Sequence, residues 1–388
     1  MRQSVCLAVV VACLVLSGRA DSAVRLDGSS AMAFLEYVTG ELSADEEREW
    51  WDVGGRQFSP ASRRYHIAFA GYAAAALCKA DPLLRTRAAK VLSNCIGRIL
   101  RRDVWAYSQS PKRWGTAAWA PDPCYRENVM YTGHLLHLLA FYEQLTGDTR
   151  YWTEGFDFVW SKEKVVHYTV GKLIEVTIAQ MHENRCGGVS CEPGLVFFPC
   201  NNHPQMALKI FAKLGHGDWS AEACKWEKWA LDHYPGPLFG GGAVKYAYHL
   251  PTGLFYPRGT AGMDGWSLLW YEPWAKDRQT ALDLWKKVAD KIDWEDFAVL
   301  EGSSSGKGGC NDPAPVPSAV AAVFLAAAAR ACDDSTTAAR LESIADAQFL
   351  KFEKGLPVVA VARDWRIGAT AVRILSYAES QGARLRED

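Results

Sequence analysis

Two cysteines, Cys191 and Cys200, lie nine positions apart in the segment CEPGLVFFPCNNH, residues 191–203. Their spacing is compatible with a disulfide. It is equally compatible with inert packing, because free cysteine is among the most buried residue types. Together with Cys186 and His203 they offer four zinc ligands, although this spacing matches no compact zinc finger. The spacing alone leaves these roles open.

A further interpretation places both thiols in a pocket. The carboxylate of Glu192 and the rings of Phe197 and Phe198 lie between the two cysteines in sequence and would form part of its wall. In such surroundings a thiol can act as a weak acid, a proton relay or a nucleophile, depending on its neighbours. This interpretation predicts Cys191 and Cys200 as catalytic residues beside an apolar substrate-binding surface.

The segment ENVMYTGHLLH, residues 127–137, contains a histidine among apolar residues. On a helix, positions i, i+3, i+4 and i+7 share one face. Here these positions are Glu127, Met130, Tyr131 and His134. Gly133 directly precedes the histidine and predicts close packing of that face. His134 is either a catalytic base or a core histidine held by a backbone carbonyl.

A third cluster, WWDVGGRQFSPASRRYHIAF, spans residues 50–69. Asp52 follows two tryptophans, and Tyr65 lies where the next helix begins. If the tryptophans desolvate Asp52, its pKa rises and the carboxyl can act as an acid. The alternative is that Asp52 only caps a turn before Gly54.

The elements that must position these residues are mostly helices. Apolar residues recur at three- and four-residue spacing in twelve stretches. These are residues 30–50, 66–80, 81–100, 126–147, 149–181, 202–214, 218–233, 262–273, 276–291, 315–332, 334–352 and 364–380. Taken in consecutive pairs, these stretches form six helical hairpins. The sequence pattern of residues 238–259 predicts one small β-hairpin. We expect an all-α fold, a closed (α/α)6 barrel with long connecting loops, rather than an open α-solenoid.

Composition narrows the functional classes. The chain has 388 residues and a formal net charge of -1. Nucleic acid and anionic membrane surfaces attract basic proteins, so neither is expected as the main partner. The sequence contains no H-E-x-x-H and no C-x-x-C motif. We therefore expect chemistry without a metal or another cofactor.

The first residues have the pattern of a secretory signal peptide. Arg2 precedes the apolar run from Val5 to Leu16, and small residues follow up to Ala20. We predict that residues 1–20 direct export to the periplasm or the extracellular space. Residues 21–388 then form a single catalytic domain. No later segment is apolar for 18 consecutive residues, so no membrane span is expected.

Four blocks of the chain resemble the linalool dehydratase/isomerase family. They occur in the same order as in that family, and the resemblance covers about residues 50–260. The blocks are YHIAFAGYAAAALCKADPLLR, DPCYRENVMYTGHLLHLLAFYEQLTGDTRYW, GGVSCEPGLVFFPCNNHPQMAL and VKYAYHLPTG. The second and third together are fairly specific, whereas either alone would be weak.

The resemblance implies an exported (α/α)6 barrel that forms a cyclic homo-oligomer, with a pocket between subunits. It implies a cofactor-free enzyme that removes water from a small isoprenoid alcohol or shifts its hydroxyl along an allylic system. By matching position, the family's acid, tyrosine and histidine correspond to Asp52, Tyr65 and His134. The remaining pocket positions correspond to Met130, Cys191, Glu192, Cys200 and Tyr248.

The chain departs from the family pattern between Asp52 and Tyr65, where it is shorter. The family has a tyrosine after its Ser-Pro, and this chain has Ala61 there. One hydroxyl expected near the substrate oxygen is therefore missing. A different or larger terpenoid, isomerised or cyclised after acid activation, fits the sequence as well as linalool.

Two other functions fit the same fold. A carbohydrate-active enzyme would use paired carboxylates, with Glu127, Glu192 and Asp264 as candidates and tryptophan-rich loops as sugar platforms. A non-catalytic carrier would bind a terpene alcohol and release it unchanged. Replacing the cysteines separates the first alternative from a terpenoid lyase, because only the lyase should lose turnover.

Overall fold

Twelve long helices dominate the described part of the computed structural model. The structure describes residues 26–43, 59–106, 116–117, 120–236, 242–245, 247–256, 259–292, 294, 319–353, 355–359 and 366–386. The helices are α1 Gly28–Ser43, α2 Ser59–Ala80, α3 Arg85–Ile99, α4 Val129–Thr146, α5 Val170–Glu183, α6 Phe198–Lys213, α7 Ser220–His233, α8 Ala261–Tyr271, α9 Arg278–Ala289, α10 Ala319–Ala331, α11 Ser335–Phe349 and α12 Arg366–Ser380.

The helices alternate between two concentric layers. The even-numbered helices form the inner ring, in which each packs against the next and α12 packs back against α2. The odd-numbered helices lie outside and pack on their inner neighbours. A hydrogen bond of 2.8 Å from the backbone N of Gly368 to the side-chain Nδ1 of His66 joins the first and last inner helices. The predicted (α/α)6 barrel is confirmed, and the open solenoid is wrong because the ring closes.

The apolar pattern of each helix explains its layer. Inner helix α4 is buried on all sides, from Val129 to Glu143. Outer helix α3 buries a stripe at three- and four-residue spacing that includes Ala88, Val91 and Cys95. A helix that is apolar all round belongs in the interior, whereas a stripe needs only one covered face.

Short antiparallel strands occupy the connections between helices. They are β1 Thr116–Ala117, β2 Ala120–Pro121, β3 Phe156–Ser161, β4 Lys164–Tyr168, β5 Leu195–Val196, β6 Tyr248–His249, β7 Leu254–Phe255, β8 Leu350–Glu353 and β9 Leu356–Val359. β1 pairs with β2, β3 with β4, and β8 with β9, while β6 lies between β5 and β7. The hairpin predicted in residues 238–259 is confirmed as β6–β7.

The prediction of one helix over residues 149–181 is wrong. The structure has a short helix at Arg150–Thr153, then the hairpin β3–β4, and only then α5. Gly155 has a φ of +76°, which breaks the helix before the first strand. The buried rings of Phe156 and Phe158 alternate with exposed residues, a period of two that is hard to recognise beside a long helical pattern.

Helices α4 and α6 approach each other closely at Gly133. A Cβ at this position would lie 2.8 Å from Pro204 Cδ and 3.4 Å from His203 Cβ. The close packing predicted from Gly133 is therefore confirmed, and it brings His134 against α6.

No helix in the described parts of the chain is long and apolar enough to cross a membrane. The proposed signal peptide, residues 1–20, lies outside the described residues, and so does Asp52.

Candidate active site

The inner helices bring several predicted site residues together in their N-terminal halves. Tyr65 is on α2, Met130 and His134 are on α4, and Cys200 is in the first turn of α6. Cys191 and Glu192 come from the connection before α6, where the backbone N of Cys191 donates to Leu195 O at 2.7 Å. These six residues form what we call the barrel cluster.

An arginine that no sequence motif singles out, Arg64, lies within the barrel cluster. It is fully buried. Its Nη2 donates to the Tyr65 hydroxyl at 3.2 Å and lies 2.7 Å from Met130 Sδ. Burial raises the pKa of Tyr65 well above its usual value, and the Arg64 charge opposes that shift. Arg64 thus favours transfer of the Tyr65 proton to a neighbour.

Aromatic rings surround Tyr65. The His134 ring lies edge-on to it at a centroid distance of 5.2 Å, and the Trp266 ring does so at 5.1 Å. Phe69 contacts both His134 and Trp266. These rings give the barrel cluster an apolar wall whose π-faces can stabilise positive charge.

His134 belongs to a buried chain of polar rings. Its Nδ1 lies 2.8 Å from the Tyr72 hydroxyl, which also lies 3.4 Å from the His134 carbonyl oxygen. The ring centroid of His203 is 3.8 Å away, and His203 Nδ1 lies 3.2 Å from His137 Nδ1.

Burial is the main reason why the pKa of His134 lies well below its usual value, and the next is the neighbouring His203. The ring is therefore neutral near pH 7. Its Nε2 has no hydrogen-bond partner among the described residues.

The two cysteines of the barrel cluster face each other as free thiols. The sulfur of Cys191 lies 3.3 Å from that of Cys200. Burial raises the pKa of Cys191 well above its usual value, and the contact with Cys200 raises it further. Cys191 therefore carries its proton near neutral pH. The disulfide alternative does not describe this arrangement, because neither sulfur is bonded to another.

The zinc alternative is not supported by the described residues. No group of three or more His, Cys, Asp or Glu side chains there has the arrangement needed to hold a metal ion. Cys186 instead contacts the backbone of Gly188, whose N donates to its sulfur at 3.4 Å.

Glu192 is the carboxylate of the barrel cluster. Burial raises its pKa, and the positive charge of Arg64 acts in the opposite direction. Glu127, in contrast, precedes α4 and has a φ of 53°. Its Oε1 accepts a hydrogen bond from Gly194 N at 3.1 Å, which fixes the loop before α6.

The helical face proposed for residues 127–137 is only partly present. Met130 and His134 do lie on the same side of α4. Tyr131 points elsewhere, because its hydroxyl donates to Ile99 O of α3 at 2.8 Å. Glu127 lies outside the helix altogether.

The remaining predicted pocket residues pack around α7. The Phe198 ring contacts Tyr234 and Tyr271, both at centroid distances of 5.5 Å. Tyr248, on β6, contacts Trp229 and Phe255. Phe197 is buried immediately before α6. The structure thus groups Phe198 and Tyr248 with aromatic residues of α7, α8 and the β6–β7 hairpin.

The sequence did contain a pattern that could have identified Tyr72 as a site residue. It lies seven residues after Tyr65 on α2, a spacing that puts both side chains on the same helical face. No comparable pattern identifies Arg64, because a charged residue in the first turns of a helix is usually solvated.

One protein family matches most of the chain. The family model described as "Linalool dehydratase/isomerase" matches residues 64–359, which is more than half of the chain.

Three solved structures that are similar to this chain are of glycan-degrading enzymes. One is an unsaturated glucuronyl hydrolase specific for heparin, with a TM-score of 0.54, 12% identity, and coverage of 92% of this chain and 97% of that chain. A GH76 α-mannanase from Bacteroides thetaiotaomicron has a TM-score of 0.51, 11% identity, and coverage of 90% and 95%. An α-1,6-mannanase variant from Salegentibacter sp. has a TM-score of 0.50, 9% identity, and coverage of 92% and 100%. At these identities the similarity concerns the fold alone.

Proposed function

The chain belongs to the linalool dehydratase/isomerase family, and on that premise we propose that it is a cofactor-independent lyase or isomerase of an allylic or tertiary isoprenoid alcohol. The observation that carries the proposal is the barrel cluster. It combines a phenol, a neutral histidine and two buried thiols against aromatic rings.

The first chemical step is loss of the substrate hydroxyl as water. The substrate oxygen takes a proton from Tyr65 or from Asp52, the C–O bond breaks, and an allylic cation remains. Arg64 helps Tyr65, because its hydrogen bond to the phenol oxygen stabilises the negative charge left after proton transfer. The aromatic wall around Tyr65 holds the cation and keeps bulk water away.

The second step decides the product. If a carbon next to the cation loses a proton, the product is an alkene and the net reaction is dehydration. If water adds at the other end of the allylic system and then loses a proton, the net reaction is isomerisation. Both routes need a base of only modest strength, because a C–H bond beside a carbocation is very acidic and so is the O–H bond of the protonated alcohol formed when water adds.

His134 is that base in our proposal. The single hydroxyl proton of Tyr72 can serve only one of its two contacts with His134. When the Tyr72 hydroxyl donates this proton to the carbonyl oxygen of His134, the Nδ1–H of His134 donates to the Tyr72 oxygen. The Nε2 of His134 then keeps its lone pair and can act as the base. Burial keeps the ring neutral, as a base must be.

The thiols act as a proton relay in this scheme. Both sulfurs lie within one hydrogen-bond distance of each other, and the raised pKa of Cys191 favours the protonated thiol over the thiolate nucleophile. A relay can return the proton from the base to the acid after each turnover.

The surroundings of the three candidate carboxylates, Glu127, Glu192 and Asp264, give the carbohydrate alternative less support than the terpenoid proposal. Asp264 accepts hydrogen bonds from the backbone N atoms of Ala243 and Val244 at 2.5 and 2.9 Å. Glu127 accepts one from Gly194 N. Two of the three candidates therefore hold loops in place, which leaves Glu192 as the one in the barrel cluster.

Export through residues 1–20, a single domain over residues 21–388 and a homo-oligomer with the pocket near a subunit interface also remain our proposals. Gel filtration and N-terminal sequencing of the exported protein test them directly.

A substrate panel tests the proposed function. Purified protein is incubated, with a chelator present, with allylic terpenoid alcohols and separately with oligosaccharides. We expect dehydration or a hydroxyl shift with at least one alcohol and no cleavage of the sugars. His134→Ala and Cys191→Ala should lower turnover by about a hundredfold or more, as loss of an acid–base group does.

Cys78→Ala is the matched control, because Cys78 is a buried cysteine near the end of α2, away from the barrel cluster. Sugar cleavage that survives Cys191→Ala would favour the carbohydrate alternative. Release of every alcohol unchanged would favour a carrier.

A further inference from the structure

Aromatic side chains of opposite inner helices meet in the middle of the barrel. In the inner ring α2 and α8 are separated by two helices in either direction, so a contact between them spans the interior. Trp266 of α8 makes two such contacts, with Tyr65 at a centroid distance of 5.1 Å and with Phe69 at 5.6 Å. Phe324 of α10 contacts Phe69 at 5.6 Å and Trp266 at 5.3 Å. We call Phe69, Trp266 and Phe324 the aromatic floor.

The barrel is filled on the C-terminal side of the aromatic floor. Trp270, one turn after Trp266, stacks on Phe69 at 6.4 Å and contacts Tyr72 at 4.8 Å. The exposed fraction of the side chains falls in this direction, from 8% for Tyr65 to 3% for Trp266 and 0% for Trp270. A molecule bound in the barrel cluster therefore meets the aromatic floor and does not pass it.

Polar groups lie on the other side of the aromatic floor, around Tyr65. The buried Arg64 donates to the Tyr65 hydroxyl at 3.2 Å. Its charge also acts on Cys191 and Glu192, so all four groups belong to one polar region. The floor offers mainly aromatic carbon. An alcohol bound in the barrel cluster is therefore oriented with its hydroxyl at Tyr65 and its hydrocarbon chain towards the floor.

The position of His134 agrees with this orientation. Its ring and that of Trp266 both lie edge-on to Tyr65, at 5.2 and 5.1 Å. Phe69 contacts both rings. A chain that begins at the Tyr65 hydroxyl and passes the proposed base therefore continues towards Trp266. The length of the chain then decides whether its end fits above the indole ring.

We propose that Trp266 is a specificity-determining residue, whose indole ring sets the longest hydrocarbon chain that the substrate can have. The inference rests on the proposed function, because it concerns the carbon chain of the same alcohol, but its test needs binding alone. Leucine has about six heavy atoms fewer than tryptophan, close to the roughly five carbons of one isoprene unit, and a close-packed interior leaves little other space for them. Trp266→Leu should therefore admit one further isoprene unit.

The test uses saturated primary alcohols built from one to four isoprene units. They are neither allylic nor tertiary, so they form no stabilised cation and are bound without being converted. Each alcohol is delivered from a cyclodextrin carrier to the full-length protein, and its affinity is measured by isothermal titration calorimetry.

In the wild-type protein we expect each added unit to tighten binding by about tenfold or more, because apolar carbons are buried. Beyond a certain length the affinity should fall, and this length is the limit. In Trp266→Leu the limit should lie one unit further, with the first excluded alcohol gaining about tenfold or more in affinity. Trp266→Phe, a milder change for which loss of folding is less of a concern, should raise the same affinity by a smaller factor.

Trp270→Leu is the matched control. It makes the same substitution one turn further along α8, where the side chain is fully buried beyond the floor. It should lower the free energy of unfolding, because it leaves a cavity, and it should leave the length limit unchanged.

Three results would overturn the proposal. They are an unchanged limit in both Trp266 variants, an affinity that rises through all four alcohols in the wild-type protein, and no binding of any of them. Conversion of alcohols in the substrate panel together with an unchanged limit would remove this inference and leave the proposed function. A limit that moves as expected, without conversion of any allylic alcohol, would remove the catalytic proposal and leave Trp266 as the floor of a binding pocket.

Discussion

At the residue scale, our proposal has Tyr72 accept a hydrogen bond from Nδ1–H of His134, which leaves Nε2 as the basic nitrogen. In Tyr72→Phe, the hydrogen bond to Nδ1 is lost while the ring remains. Because loss of one hydrogen bond is worth about 0.5–1.5 kcal/mol, we expect kcat to fall by up to about tenfold with KM little changed. Steady-state kinetics with the converted alcohol measure both parameters.

Tyr271→Phe is the control for this change. It also removes a buried phenol hydrogen bond, from Tyr271 to Glu227 at 2.9 Å, but outside the barrel cluster. It should lower the free energy of unfolding by a similar amount and leave kcat unchanged. Equal kcat losses in the two variants would mean that Tyr72 has only a structural role.

The residues of the barrel cluster were only partly predictable from the sequence. His134 and the cysteines stand out because polar or reactive side chains interrupt apolar runs. Arg64 does not, since its burial depends on contacts with Met130 and Tyr65 that arise only after α2 and α4 pack together.

At the element scale, Gly265 controls how closely α8 packs on α10. A Cβ there would lie 2.7 Å from Leu325 N and 2.8 Å from Phe324 C, both backbone atoms that cannot rotate away. We expect Gly265→Ala to lower the free energy of unfolding by about 1–3 kcal/mol, as overpacking does. Urea denaturation provides the measurement.

Gly97→Ala is the matched control on α3, where a Cβ would meet no atom within 4 Å. There the substitution should stabilise the helix by about 0.5–1 kcal/mol, because alanine loses less backbone entropy than glycine. A similar effect of both substitutions would contradict the close packing of α8 on α10.

Asp264 makes the attachment of a loop to α8 depend on pH. Burial raises its pKa from 3.8 to about 7, while hydrogen bonds from Ala243 N and Val244 N oppose the shift. The folded state therefore binds more protons than the unfolded state between these values. The contribution of Asp264 to the free energy of unfolding is therefore present at low pH and is lost as the pH rises from about 4 to about 7.

Asp264→Asn should remove this part of the pH dependence, because the amide does not titrate. Urea denaturation at a series of pH values measures it, and Asp232→Asn, at an exposed position of α7, is the control. An unchanged pH dependence in Asp264→Asn would contradict the assignment.

The existence of the long helices was predictable where the apolar period was unambiguous, whereas their ends were not: the stretch predicted over 66–80 begins at Ser59 in the structure. Eleven of the twelve predicted stretches correspond to one long helix each. Residues 149–181 do not, because the alternation of Phe156 and Phe158 with polar residues is short and adjoins a long helical pattern.

At the scale of the whole molecule, six helical hairpins are compatible with a closed barrel, but local patterns alone do not determine closure. The contacts that close the ring, such as that of His66 with Gly368, join residues about 300 positions apart. Another buried contact, a bidentate salt bridge between Arg373 and Asp346, holds α12 to α11. Arg373 Nε donates to Asp346 Oδ1 at 2.8 Å, and Arg373 Nη2 donates to Asp346 Oδ2 at 2.7 Å.

The closed barrel also explains how a cation can be formed without indiscriminate capture by bulk water. The inner ring surrounds the barrel cluster with apolar side chains, so charge formed there is held by ring faces instead of solvent. The central claim is therefore that the protein ionises an allylic alcohol at this cluster.

The most direct measurement is oxygen exchange in heavy-oxygen water. The allylic alcohol converted most readily in the substrate panel is incubated with the protein, and the isomer and the recovered alcohol are analysed by mass spectrometry. We predict that both carry solvent oxygen and that His134→Ala abolishes formation of the labelled isomer. An isomer that retains the original oxygen throughout, or an alcohol recovered without label and without products, would contradict the account.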